Sequence, residues 1–211
     1  RLLSGLIKPD EGYIKVDGKV LFEDKKINLK TRERNIGYVL QSENLFPHLN
    51  VEKNLKLGLE KKDYDKVDIW LSRLSLTEKK TAKPENLSGG EKQRIAIIRA
   101  LIHNPDILLL DEAFNSLDKE NKRILYKEIK DLLKDFLGYT IIVTHDKKEA
   151  LKLSGEIYYL NKGKLWLVYS NLIEGHVKEA NSDKFVNLIK VNYKATDIII
   201  SSTRDSIKKG D

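Results

Sequence analysis

Cysteine and methionine are both absent from the 211 residues. Without cysteine there can be no disulfide, no thiolate metal site and no thiol nucleophile, a composition that fits a reducing compartment. Without methionine, even at position 1, an initiator is missing, and the expectation is a polypeptide that starts inside a gene product. No apolar run approaches the ~20 residues needed to cross a bilayer. Work at a membrane would therefore require docking onto another subunit. The opening RLLSGLIKPDEG has neither a charged n-region nor an apolar h-region with a cleavage site, so no secretory leader is expected in it. There is no internal repeat and no low-complexity tract.

The composition that remains is that of a globular protein rich in charge, 40% apolar and 34% charged. The net charge of +7 comes from 39 Lys and Arg against 32 Asp and Glu, with the lysines spread along the chain. Spread lysine reads as solvated surface, and it gives no ground for a nucleic-acid partner. The length suits one good-sized core, or one domain with an appendage.

Arg1 to Leu6 reads as the end of a helix running into the loop Lys8 to Gly12. Tyr13 to Val16 alternates like a strand, Asp17-Gly18 is a two-residue hairpin turn, and Lys19 to Phe22 returns. Ile36 to Leu40 is a short apolar strand, and Asn50 to Arg73 is helical with breaks. Leu87 to His103 is a helix stopped by Asn104-Pro105. Ile107 to Leu110 and Thr140 to Thr144 read as strands buried in a parallel sheet. Between them, Lys119 to Leu137 carries an apolar stripe of Ile124, Leu125, Ile129, Leu132, Leu133, Phe136 and Leu137. Lys147 to Leu153 is a short helix, and Ile157 to Leu160 forms a hairpin with Lys164 to Val168. The alternation predicts an α/β domain with a parallel sheet and an antiparallel patch beside it. After about Ser170 the chain turns polar, with alternating segments at Phe185 to Val191 and Ala195 to Ser201, the look of a small all-β appendage.

The most informative stretch is Leu87-Ser88-Gly89-Gly90-Glu91-Lys92-Gln93-Arg94. Ser88 and Glu91 have the spacing of a capping box. Two glycines beside the cap allow close backbone approach, and a helix start offers free N–H groups and a positive dipole end. Together these make an anion site of the kind phosphates use. A carboxylate at the end of a buried parallel strand, as at Asp111, lies where open α/β sheets bind ligands and can hold Mg²⁺. Glu112 is the next residue and a candidate general base. His48, His103 and His176 have no comparable setting and read as structural or solvated.

LSGGEKQR resembles the signature motif of ABC ATPases, and the chain carries the family's other motifs in order. Gln41 after IGYVL is similar to the Q-loop, Asp106 to Glu112 to Walker B with its glutamate, Ser116-Leu117-Asp118 to the D-loop, and His145 after TIIVT to the switch histidine. The resemblance covers residues 1–168. It implies an ABC-type P-loop NTPase domain with a parallel sheet core, an antiparallel β patch and a helical subdomain, and ATP with Mg²⁺ as its ligands. Within it, Asp111 would bind Mg²⁺, Glu112 would orient the attacking water, and His145 would steady Glu112 or donate to the γ-phosphate. Gln41 would reach Mg²⁺ or the water. Ser88, Gly89, Gly90 and Glu91 of one subunit would cover the nucleotide held by the other, with Asp118 at the same seam of a homodimer.

The segment Gln41 to Val51, with its Phe46-Pro47-His48, is similar to the importer pattern. It implies permease subunits docking near Gln41 to Asn54, with Phe46 as a contact, and an extracytoplasmic solute-binding protein engaged indirectly. The location implied is the cytoplasmic face of the membrane. Residues 189–201 resemble the start of the small regulatory β-domain of molybdate importer ATPases, which makes 169–211 a linker and partial TOBE/MOP-like domain. Molybdate or tungstate is the first expectation for the solute, with sulfate, or a polyol or sugar, behind. The DNA-repair and translation members of the family are the competing reading, but coiled-coil or cysteine-rich insertions are absent here, and no nucleic-acid partner is expected.

No G-x-x-x-x-G-K-[ST] loop stands anywhere in the 211 residues. The family's phosphate cradle is thus expected upstream of Arg1. The 211-residue polypeptide by itself is expected neither to bind ATP tightly nor to hydrolyse it. Isothermal titration checks this, and a micromolar dissociation constant would overturn it.

Overall fold

The computed structural model describes residues 1–40, 45–115, 117–161 and 164–170. Tyr13–Val16 (β1) pairs antiparallel with Lys19–Glu23 (β2) across Asp17-Gly18. Both turn residues have positive φ, 46° and 83°, the type I′ geometry whose twist matches the flanking strands. Ile27–Asn28 (β3) adds a third strand that sequence periodicity is too short to reveal.

The second sheet is parallel, in the order Ile36–Val39 (β4), Ile107–Asp111 (β5), Tyr139–Val143 (β6), with β5 central. Between β4 and β5 the described residues form three α-helices: Val51–Lys56 (α1), Lys66–Arg73 (α2) and Gly89–Leu101 (α3). Between β5 and β6 it forms Lys119–Lys134 (α4). The start of the ladder is pinned outside the strands. Asp106 N–H donates to Asn35 O, Tyr139 N–H donates to Asp106 O, and the Asn35 amide reaches the Asp106 carboxylate at 2.9 Å. Helix α3 lies so close to β4 that a Cβ at Gly37 would collide with the carbonyl oxygen of Ala100. Glycine is the residue that permits this approach.

Strand β5 is buried from Ile107 to Leu110, as its apolar run predicts. Strand β6 departs from expectation. It is outermost among the described strands of its sheet, and Tyr139, Ile141 and Val143 are exposed on one face although the run is as apolar as that of β5. The stripe on α4 is also narrower than predicted. Leu125, Ile129 and Leu132 are buried together with Tyr126, whereas Ile124 and Leu137 face solvent.

Arg1 to Leu6 is not a regular helix, but it carries the hydrogen bonds of a helix end. Leu6 N–H donates to Arg1 O and Gly5 N–H to Leu2 O, with Gly5 at φ 77°, the Schellman arrangement. The carbonyls of Leu2 and Leu3 are taken up by Arg34, which is 1% exposed. Its Nη1 donates to Leu2 O (2.9 Å) and Leu3 O (2.8 Å), its Nε to Leu29 O (2.9 Å), and its Nη2 to Asn28 Oδ1 (3.0 Å). No carboxylate is among these partners. The cation is balanced by carbonyl dipoles at a helix end, where positive charge is favoured, and burial pushes its pKa down.

The chain divides into two compact units, Arg1–His145 and Asp146–Asp211. In the second, Asp146 caps Lys147–Leu153 (α5), accepting from the N–H groups of Lys148 and Glu149. Glu156–Asn161 (β7) and Lys164–Ser170 (β8) form the expected hairpin, its turn lying outside the described residues. The alternating segments expected after Ser170 also lie outside the described residues.

Replacing Arg34 by leucine would leave the Leu3 and Leu29 carbonyls and the Asn28 amide oxygen without their donor, and would leave Leu2 O with the Gly5 N–H alone. The expected loss is roughly 3 kcal/mol of unfolding free energy. Arg34→Lys recovers less than half of it, because one ammonium cannot span four acceptors in two directions. Urea denaturation of the two variants checks both expectations.

Candidate active site

The site forms where β5 ends. Asp111 is its last residue, and Tyr38, on the same face of β4 and in register with Leu109, donates its hydroxyl to Asp111 Oδ2 at 2.7 Å. Burial raises the Tyr38 pKa first, and the Asp111 carboxylate raises it further. The phenol is therefore a secure donor at neutral pH. Nothing in the sequence marks Tyr38, since the contact arises only from strand register.

Glu112 follows with φ 48°, a left-handed conformation rare for a side chain branched at no special position and costing of order 1–2 kcal/mol. It is held from several sides. Its N–H donates to Val143 O at 2.8 Å, and Asn115 N–H donates back to Glu112 O at 3.3 Å. Ala113 and Phe114, between them, are buried, and Phe114 meets Tyr126 edge-on with ring centroids 5.3 Å apart. The Asn115 amide donates to Glu112 Oε2 at 2.6 Å. His145, two residues beyond the end of β6, brings Nδ1 to 3.5 Å from Glu112 Oε1. The structure thus brings Asp111, Glu112 and His145 together, and adds Tyr38 and Asn115. Gln41, also expected here, lies outside the described residues.

The second group gathers at the starts of α3 and α4. Ser88 caps α3: its Oγ accepts from Glu91 N at 3.3 Å, and Glu91 Oε2 accepts from Ser88 N at 2.8 Å. Lys79 Nζ stands 3.1 Å from the other oxygen, so both oxygens of Glu91 are engaged at the helix start. The Ser88 N–H bond, then Lys79, holds the Glu91 carboxyl below its ordinary pKa. The cap leaves the N–H groups of Gly89 and Gly90 without intrahelical partners. Added Cβ atoms there would meet nothing nearer than 3.8 Å and 3.5 Å, ordinary contact distances, so the chain's own packing does not require glycine at either place. Asp118 caps α4 through Asn121 N–H (2.9 Å), which holds its pKa down. Ser116 lies outside the described residues. Arg94 fixes the two helices to each other through Glu128 at 2.6 Å.

A third feature concerns Phe46. Asn54 is fully buried. Its Oδ1 accepts from Phe46 N–H (2.8 Å), and its amide donates to the carbonyls of Phe46, Leu49 and Asn50 (3.0–3.1 Å). The loop is pinned, yet the Phe46 ring remains 44% exposed, with Arg99 over one face and His48 at its edge. The ring is presented rather than buried.

Mg²⁺ fits the donor set at Asp111. Among the described residues no cluster of three or more His, Asp or Glu could enclose a metal. One carboxylate with Oδ1 left over by Tyr38 suits Mg²⁺, which keeps waters and takes one or two carboxylates alongside phosphate oxygens. No described helix is long and apolar enough to cross a membrane.

The family model described as "ABC transporter" matches residues 1–115. The chain is 42% identical over 165 residues to the molybdenum import ATP-binding protein ModC of Pasteurella multocida, covering 78% of this chain and 47% of that protein. It is 39% identical over 193 residues to the spermidine/putrescine import ATP-binding protein PotA of Fusobacterium nucleatum, covering 88% and 49%. Among solved structures it resembles a dimeric post-hydrolysis state of the ATP-binding cassette MJ0796 bound to ADP and Pi. The TM-score is 0.64 and the identity 30%, over 78% of this chain and 75% of that one. The chain spans about half the length of the curated relatives it matches.

The cap makes a separable prediction. Ser88→Ala is expected to cost about 1 kcal/mol, while Gly89→Ala is expected to add about 0.5–1 kcal/mol through helix propensity. Because the Glu91 pKa is lowered on folding, its contribution is complete above the ordinary value of 4.5 and is lost as pH falls below it. Denaturation curves at neutral and acid pH check the sign of each.

Proposed function

The chain belongs to the ABC transporter family, and from that premise we propose that the protein containing it is the ATP-hydrolysing subunit of an importer. Asp111, Glu112 and His145 do the chemistry of one half-site. The observation that carries this reading is the convergence of Glu112 and His145, Oε1 to Nδ1 3.5 Å, beside a strand-end aspartate. Phosphoryl transfer to water calls for charge neutralisation, a positioned water and little covalent chemistry. Mg²⁺ bound with ATP at Asp111 supplies the neutralisation. Glu112 orients the water and takes its proton, and His145 steadies the glutamate. Gln41 is assigned to the water or the metal.

Ser88 to Gly90 act in trans. The N–H groups of Gly89 and Gly90, which have no intrahelical partner, suit the phosphates of a nucleotide held by a second copy, with Glu91 and Asp118 keeping the two helix starts in shape. The same geometry explains why glycine stands where this chain's packing does not ask for it. The phosphate grip itself comes from polypeptide outside these residues, since no Gly-rich lysine loop occurs among them. We assign residues 1–168 to the ATPase domain.

The pinned and exposed Phe46, within the Gln41 to Asn54 region, is the contact for permease subunits at the cytoplasmic face of the membrane. An extracytoplasmic binding protein would deliver the solute. Similarity to the molybdenum import protein favours molybdate or a related oxyanion. Similarity to the spermidine/putrescine import protein supports a polyamine as the second reading. Uptake assays with each solute separate the two.

In the protein with its complete ATP site, Glu112→Gln is expected to lower turnover by at least about a hundredfold, the lower end of the range for general-base removal, while ATP binding persists. Steady-state phosphate release with parallel nucleotide-binding measurements checks it. Unchanged turnover would remove Glu112 from the mechanism.

A further inference from the structure

We propose that Asn115 is a positioning residue for Glu112. By occupying Oε2 of the carboxylate it leaves Oε1, on the His145 side, as the oxygen that meets the attacking water. The inference rests on the assignment of Glu112 as the water-orienting group.

The geometry at the end of β5 separates the two oxygens of Glu112. Oε2 receives the Asn115 amide at 2.6 Å, a short bond to an anionic acceptor. Oε1 has His145 Nδ1 at 3.5 Å, near enough for attraction but too long for a good hydrogen bond. One oxygen is therefore committed, and the other keeps its lone pairs available. A glutamate side chain has several rotatable bonds, and a single tether on one oxygen removes most of that freedom before substrate arrives. Asn115 is itself immobilised by the turn it closes, through its N–H to Glu112 O and the buried Ala113 and Phe114.

The direction of the Asn115 amide distinguishes this role from an ordinary turn contact. A turn asparagine stabilises the main chain by accepting main-chain N–H bonds with its side-chain oxygen. Here the side-chain NH₂ donates to a carboxylate three residues back. The contact places the carboxylate and contributes no bond to the backbone.

In the step so arranged, the water oxygen bonds to the γ-phosphorus of ATP. The bond from that phosphorus to the bridging oxygen breaks, and ADP departs with its electron pair. The water's proton passes to Oε1 of Glu112. Asn115 transfers nothing, and its amide stays on Oε2 throughout.

The test uses the protein with its complete ATP site. Asn115→Leu removes the donor, Asn115→Asp removes it and adds repulsion, and Asn115→Gln keeps a carboxamide. Expected are kcat values about tenfold to a hundredfold lower for the first two, the scale set by misplacing a catalytic group. KM for ATP should stay within about twofold, and the glutamine variant should recover part of the loss. Independently of turnover, the Asn115 side-chain amide resonances of the nucleotide-free protein should shift when Glu112→Ala removes the acceptor. This readout does not depend on any Asn115 variant folding. The proposal is overturned if both variants keep wild-type kcat, if KM rises in step with the loss, or if the resonances do not move. Glu112→Gln measured alongside separates the two readings: if it leaves turnover intact, the assignment of Glu112 has failed. If it abolishes turnover while the Asn115 variants are normal, only the role of Asn115 has.

Discussion

Glu112 is held in a left-handed backbone conformation by the pairing of β5 with β6, and the rest of the site depends on that restraint. The register sets Asp111 opposite Val143, so the Glu112 N–H falls on the Val143 carbonyl and the chain turns sharply out of the sheet. Such a conformation persists only where the surroundings over-determine it. Here the strand pairing fixes one side, and the buried pair Ala113 and Phe114 fixes the other. A slip of one residue would move the Val143 carbonyl away and send the side chains of β6 to opposite faces. The carboxylate would lose its backbone angle and its histidine together.

The same register explains what could and could not be read from the chain. The run Ile107 to Leu110 announced a buried strand, and the four residues are buried. The run Thr140 to Thr144 announced the same, yet Ile141 and Val143 face solvent on one face of β6, which among the described strands pairs with β5 alone. Composition reports how apolar a strand is, not how many neighbours it has. Capping chemistry was fully legible at Ser88 and Glu91, since both partners lie within one turn. The Tyr38 to Asp111 bond spans 73 positions and is set by strand order, so no local pattern contains it. Asn115 is only three residues from Glu112, but the direction of its amide depends on a backbone angle that the sequence does not display.

Arg34 shows the opposite kind of illegibility. In the sequence it is one of 39 cations, most of them solvated. In the fold it is buried and gathers the carbonyl ends of Leu2, Leu3 and Leu29 around one guanidinium. Its five donors and planar shape let one residue tie a helix end to the antiparallel patch. The residues of the site lie elsewhere, at the far end of the parallel sheet, so the clamp secures the frame without entering the chemistry.

The glycines fall on two sides of the line between frame and function. Gly37 is explained entirely by the chain: α3 approaches β4 so closely that any Cβ would strike the Ala100 carbonyl. Gly89 and Gly90 have no such explanation. Their Cβ positions are open to ordinary contact, their φ values are unexceptional, and each weakens the first turn of α3 by about 1 kcal/mol relative to alanine. Ser88 and Glu91 offset that cost with a capping box, so the helix begins firmly although its first two residues favour the opposite. A position that weakens its own helix and relieves no clash within the chain is answering to something outside the chain. At a helix start with two free N–H groups, an anion brought by a second molecule meets that description.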